Sequence, residues 1–187
     1  EYKIFKRTPH QKLPKRSSTE LKKEITIPFR IDLAGGWLDQ AYVNKFNPGS
    51  VITISIEPTI DFNLRSGMAS STRNKAIELW NSKLPKDDLE KLSKILFCYE
   101  NPPGTKIISG SQDSIGIIFP GINNLYYDNN YWPKKIDSIN TENEIKFIEN
   151  NLSLIPLEPR RSSYDVWKNT NISKKNAEEL ANSSNRV

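Results

Sequence analysis

Pro28-Phe29-Arg30-Ile31-Asp32-Leu33-Ala34-Gly35-Gly36-Trp37-Leu38-Asp39-Gln40 is the stretch on which the fold turns. Ile25, Ile27, Phe29, Ile31 and Leu33 alternate with polar positions, which is the period of a half-buried strand. The strand runs into a glycine pair. Glycines at a strand end permit positive φ and close backbone approach by a ligand. Beyond them, Trp37 can stack on a sugar ring and Asp39 can accept hydrogen bonds from its hydroxyls; a plain tight turn would use the same glycines.

Outward from this stretch, Ser50-Val51-Ile52-Thr53-Ile54-Ser55-Ile56 reads as a second, β-branched strand between Pro48-Gly49 and Pro58. A helix is expected after Ser70-Ser71-Thr72, with Ala76, Ile77 and Trp80 on one face. Another is expected from about Asp87 to Tyr99, with Leu89, Leu92, Ile95, Leu96 and Tyr99 at helical spacing and Asp87 or Asp88 at its start. A short helix follows Ser111, then strands at Ile117-Ile118-Phe119 and Asn124-Leu125-Tyr126-Tyr127. Residues 141–150 read as helix, Leu152–Leu157 as strand, and Ser173–Asn182 as a capped helix. Strands and helices mix without regular βαβ alternation, so the expected class is α+β.

The chain has 187 residues, with 36% hydrophobic and 26% charged. That composition supports a real core and excludes a disordered or fibrous chain. No window approaches the ~18 unbroken apolar residues of a membrane span. One cysteine, Cys98, excludes an internal disulfide framework. The single histidine, His10, sits in a polar arm, away from any packed triad. No signal or transit segment is visible, which makes cytoplasm the default. The only methionine is Met68, so the chain reads as a processed, trimmed or partial product. The net charge of +5 is local: residues 1–23 carry eight basic and two acidic groups, and the other 164 residues carry 19 and 20. The body is therefore neutral, and the arm at 1–24 reads as a leader or linker. With no RNP-type aromatic pair and no helix-turn-helix pattern, nucleic acid is a poor fit.

Two further patches carry chemistry. Arg65-Ser66-Gly67-Met68-Ala69-Ser70-Ser71-Thr72 opens a helix with small residues, and first-turn N–H groups with a positive dipole end suit a phosphate. It lacks the Gly-Lys-Ser/Thr of a Walker A loop; an ordinary capped helix is the alternative. Glu100-Asn101 followed by Gly110-Ser111-Gln112-Asp113 places a carboxylate at a helix start, suited to accept a proton from a hydroxyl. Glu100 is a second carboxylate for a metal shell; a helix cap at Asp113 and a solvated Glu100 would read the same way.

Together these patches resemble the GHMP kinases, the family of galactokinase, homoserine kinase, mevalonate kinase and phosphomevalonate kinase. Arg30–Asp39 is similar to the family's first motif, in the Ala-Gly-Gly-Trp-x-Asp form of fucokinase and the heptose kinases. Gly67–Thr72 resembles the Gly-Leu-Gly-Ser-Ser-Ala phosphate loop, and Glu100-Asn101 with Gly110–Asp113 the Glu-Asn…Gly-x-x-Asp-Gln segment.

The resemblance implies an ATP- and magnesium-dependent sugar kinase acting at an anomeric hydroxyl. Residues 25–150 would form its ATP and sugar domain, and 151–187 the start of a ferredoxin-like second domain. It makes Asp113 and Arg30 catalytic. Gly67, Met68, Ala69, Ser70, Ser71 and Thr72 would cradle the ATP phosphates, and Ser71 with Glu100 would hold Mg²⁺. Gly36, Trp37, Asp39, Gln112, Arg160 and Tyr164 would bind the sugar. The implied partners are that sugar, ATP and another domain of a longer polypeptide. The alternative is a degenerate kinase-like domain that binds sugar or nucleotide without turnover. It is suggested by the short 35–67 interval and by the lack of any glycine after Gly121, which leaves out the family's Gly-rich third motif; Met68-Ala69 also stands where the family has Leu-Gly.

Overall fold

The computed structural model describes residues 27–58, 68–154, 170 and 172–187. The fold is mixed α+β. Four strands, β1 (Phe29–Ala34), β2 (Gly49–Ile56), β3 (Ile122–Tyr127) and β4 (Lys135–Ile139), form an antiparallel sheet in the order β1-β2-β3-β4. The helices are α1 (Ala41–Asn44), α2 (Ser70–Trp80), α3 (Leu89–Glu100), α4 (Gln112–Ile118), α5 (Glu142–Asn151) and α6 (Lys174–Ser184). None of the helices among the described residues is long and apolar enough to cross a membrane.

Register decides which side chains meet the helices. Arg30 pairs with Ser55, Asp32 with Thr53, Thr53 with Asn123, and Val51 with Leu125. Directly opposed residues share a face, so Arg30, Asp32, Thr53, Val51, Asn123 and Leu125 all point to one side. Helix α4 lies on that side: a Cβ on Gly116 would fall 2.3 Å from Arg30 Cγ and 3.1 Å from Thr53 Oγ1. Gly116 is the opening that lets a buried arginine stem cross beneath a helix. Arg30 is 3% exposed and Thr53 and Asn123 are fully buried. The inner face of the sheet therefore carries a polar strip within an apolar frame.

Two apolar clusters flank this strip. Leu38, Val43, Val51, Ile115, Leu125, Tyr127, Ala177 and Ala181 form the first. Ile27, Ala69, Ala76, Leu92, Leu96, Ile117 and Ile118 form the second. Helix α4 supplies residues to both, and Ser114 to Ile118 are all buried. This explains a mistaken element type: Ile117-Ile118-Phe119 reads as strand in the sequence, but Ile117 and Ile118 end α4. A helix buried on all sides shows a continuous apolar run, which periodicity cannot tell from a buried strand.

Helix α3 starts at its cap Asp88, whose side chain accepts from Lys91 N at 2.7 Å. Helix α6 starts at Ser173, which accepts from Asn176 N. Residues 152–154 form no strand, contrary to expectation, and 155–157 lie outside the described residues. Helix α6 falls in the segment expected to begin a second domain; here Ala177 and Ala181 pack in the first cluster with Leu38 and Val51.

Candidate functional site

Arg30 is the centre from which the site is built. Its Nη1 lies against Asp32 Oδ1 as an ion pair, and its Nη2 donates to Asp113 Oδ1. The arginine is buried, whereas both carboxylates are about one-quarter exposed, at 29% for Asp32 and 27% for Asp113. Burying one charge is tolerable because two carboxylates face it, Asp113 through a hydrogen bond to Nη2 and Asp32 through charge alone, since Nη1 and Asp32 Oδ1 have no hydrogen-bond partner among the described residues. Asp113 reaches Arg30 from the first turn of α4. Asp32 arrives from the same strand as Arg30, two residues on.

The start of α2 is drawn to the same point. Met68 O accepts from Arg30 N at 3.4 Å. Ala69, the cap residue, is left-handed at φ 52 and has no side-chain acceptor for the first-turn N–H groups. Ser70 is buried, Ser71 exposed and Thr72 buried. Thr72 Oγ1 donates to Glu100 Oε1 at 2.7 Å and lies 3.4 Å from Asp113 Oδ2. Glu100 closes α3. Burial pushes its carboxyl above the usual range, against the opposing pull of the Thr72 hydrogen bond and of Lys75 and Arg30. Among the described residues, its Oε2 is buried without a hydrogen-bond partner.

The loop joining α3 to α4 is held from below by the glycine turn after β1. Gly35 has φ +73, and a Cβ there would strike Ser50 O at 2.0 Å, so only glycine fits. The turn brings Asp39 under Gly110 and Gln112. Gln112 N donates to Asp39 Oδ2 at 3.4 Å, and a Cβ on Gly110 would sit 1.7 Å from that oxygen. With its carboxamide oriented to suit its neighbours, Gln40 donates to Ile108 O at 3.2 Å and accepts from Gly110 N at 2.9 Å. From the other side, Asn101 donates to Ser109 O at 3.2 Å and accepts from Ser109 N at 2.8 Å. Ser111 Oγ donates to Tyr131 O at 2.6 Å and lies 2.9 Å from the Tyr127 hydroxyl.

Asp39 is 3% exposed. Burial pushes its carboxyl up to about 7; the Arg30 charge opposes this and the Asp32 charge adds to it. A carboxylate expected to meet a sugar thus fastens the amide that opens α4.

The structure brings together Arg30, Met68, Ala69, Thr72, Glu100, Gln112 and Asp113. Gln112 reaches in through Nε2, 3.4 Å from Asp32 Oδ2. Gly36 borders the group, its Cβ position 3.5 Å from Asp32 Oδ2. Trp37 is half-buried at φ 84 in the same turn. The hydroxyl on Glu100 is that of Thr72, not of Ser71. Gly67, Arg160 and Tyr164 lie outside the described residues.

Sequence reasoning missed Asp32, Gln40 and Gly116. Asp32 carried a usable signal, since residues two apart on a strand share a face. Two clefts lie elsewhere: one of about 560 Å³ along Asp88, Lys91, Lys94, Ile95 and Cys98, and one of about 380 Å³ between Phe97, Pro102, Pro103, Ile108 and Trp132.

Among the described residues no three His, Cys, Asp or Glu side chains converge as a metal cage. Mg²⁺ rarely needs one, since it takes one or two carboxylates and completes its shell with water and substrate phosphates. Glu100, with a buried oxygen lacking a partner, fits that requirement. No family model, curated protein or solved structure matches the chain.

Proposed function

We propose that the chain is an ATP- and Mg²⁺-dependent sugar kinase of GHMP type, acting at an anomeric hydroxyl of a fucose- or heptose-like sugar. One observation carries the reading: segments 28–40, 68–72 and 100–113, distant in sequence, meet around Arg30. There Thr72 lies between Glu100 and Asp113.

Phosphoryl transfer needs alignment of the attacking oxygen and neutralisation of charge on the moving group, and little else. In this reading Asp113 Oδ2 orients the acceptor hydroxyl and takes its proton, a contribution of ~10²–10⁴-fold for a general base. Arg30 holds Asp113 by its other oxygen and adds positive charge beside the transferred group. The amides of residues 69–72 meet the phosphates; Glu100 is the carboxylate offered to the metal, and Ser71, next to Thr72 in the first turn of α2, is the hydroxyl. Bound Mg²⁺ would neutralise charge on the β- and γ-phosphate oxygens. Trp37 and Gln112 border the acceptor side. Asp39 serves here by fixing the start of α4.

The test is a coupled ADP-release screen across hexoses, deoxyhexoses and heptose phosphates, with Asp113→Asn as control. ADP release with one sugar, abolished in Asp113→Asn, is the expected result; background release with every sugar rejects the catalytic assignment. A second reading, a kinase-like domain that binds without turnover, is favoured by Ala69. Its methyl occupies a left-handed position where glycine would let a phosphate approach closely. Sugar binding without Mg-ATP binding in calorimetric titrations selects that reading.

A further inference from the structure

Arg30 offers its guanidinium to two carboxylates, and the division of that guanidinium has a chemical consequence. A lone arginine–carboxylate pair tends to close as a fork, with two parallel N–H bonds covering both oxygens. Here the fork is split. Nη2 goes to Asp113 Oδ1, while Nη1 is held by Asp32 Oδ1. The other Asp113 oxygen, Oδ2, meets the Thr72 hydroxyl at the long distance of 3.4 Å.

Asp32 is itself fixed, since its Oδ2 faces Gln112 Nε2 at 3.4 Å and its strand is pinned at the Thr53 pairing. The arginine stem cannot swing away, because Gly116 and Thr53 wall it in. Nη1 and Asp32 Oδ1 face each other as an ion pair without a hydrogen bond among the described residues, so a guanidinium released by Asp32 can turn Nη1, the neighbour of Nη2, to Asp113 as the second arm of a fork.

We infer that Asp32 is a positioning residue: by holding one arm of Arg30 it prevents a closed fork on Asp113 and keeps Asp113 Oδ2 open for the acceptor hydroxyl. The inference rests on the kinase reading for its consequence, but not for its geometry. Asp32 touches neither nucleotide nor acceptor in this scheme. It acts on the reacting oxygen only through Arg30.

The test compares the native chain with Asp32→Asn and Asp32→Glu. Asparagine fills the same space but cannot hold the guanidinium as an ion pair; glutamate restores the charge. Crystal structures without ligand are expected to show Arg30 closed onto both oxygens of Asp113 in Asp32→Asn, and split in Asp32→Glu. With whichever sugar releases ADP, Asp32→Asn should lose roughly tenfold or more in kcat while KM for ATP moves less than about threefold, and Asp32→Glu should recover most of the loss. A split fork retained in Asp32→Asn, or a loss confined to KM, overturns the assignment. Should Asp32→Asn fail to fold, an Asp32→Glu structure with Arg30 closed onto both Asp113 oxygens overturns it equally. ADP release absent from the native chain would reject the kinase reading, and the position of the guanidinium would still decide the clamp.

Discussion

Replacing Asp39 by asparagine is expected to flatten the pH dependence of stability. In the unfolded chain the carboxyl ionises near 3.8, and in the folded protein near 7, because burial disfavours its charge. Between those values the native state keeps a proton that the unfolded state has released. Stability from Asp39 is therefore full below about pH 4 and lost as pH rises through about 7. At ~1.4 kcal/mol per unit, the rise from pH 5 to pH 8 removes about 3 kcal/mol. An asparagine side chain in its place retains an acceptor for Gln112 N and has no charge to bury.

Urea unfolding of both proteins at pH 5, 6, 7 and 8 isolates the effect, since every other carboxylate is common to the pair. The native chain should lose about 3 kcal/mol more than Asp39→Asn across that range. Parallel profiles would refute a buried, proton-holding Asp39. Steeper acid loss in the native chain would show the opposite sign, that of a carboxylate stabilised in its charged form.

Gly116→Ala places a methyl 2.3 Å from Arg30 Cγ, and should cost ~1–3 kcal/mol by overpacking, read as a lower urea midpoint. Asp113→Asn should cut ADP release by ~10²–10⁴-fold while calorimetric Mg-ATP affinity stays within a few-fold. Thr72→Ala removes the hydrogen bond that opposes burial at Glu100, so its carboxyl should titrate still higher. Mg-ATP affinity should then fall off more steeply toward acid pH in that variant than in the native chain, by calorimetry.

The residues that meet around Arg30 were legible in the sequence as local marks: small residues before a helix, Glu100 at a helix end, Asp113 after Gly110. The strand under them was harder to read. Alternation marks Phe29, Ile31 and Leu33 as the inner set, yet Leu33 is 42% exposed and Arg30 is buried. A site built on the inner face of a sheet inverts the usual polarity, and binary pattern then points the wrong way. The same inversion hid Asp32. Helix α1 is a single short turn held by Asn44, which donates to Leu38 O and Asn130 O at 2.8 Å each. Strand β4 is mostly exposed, with Ile136 half-buried. Neither carries a run long enough to declare itself. Asp39 reads as a ligand from its place after a Gly-Gly-Trp turn, and only the closeness of Gly110 reveals what it holds.

In a kinase centred on Arg30, the start of α2 and the start of α4 serve one ligand. Titrating ¹⁵N-labelled protein with the magnesium complex of a non-hydrolysable ATP analogue measures this directly. Amide resonances of residues 69–72 and of Gln112 and Asp113 should shift together along one binding curve. Saturation that moves neither group, or only residues around the distant cleft at Trp132, would contradict it.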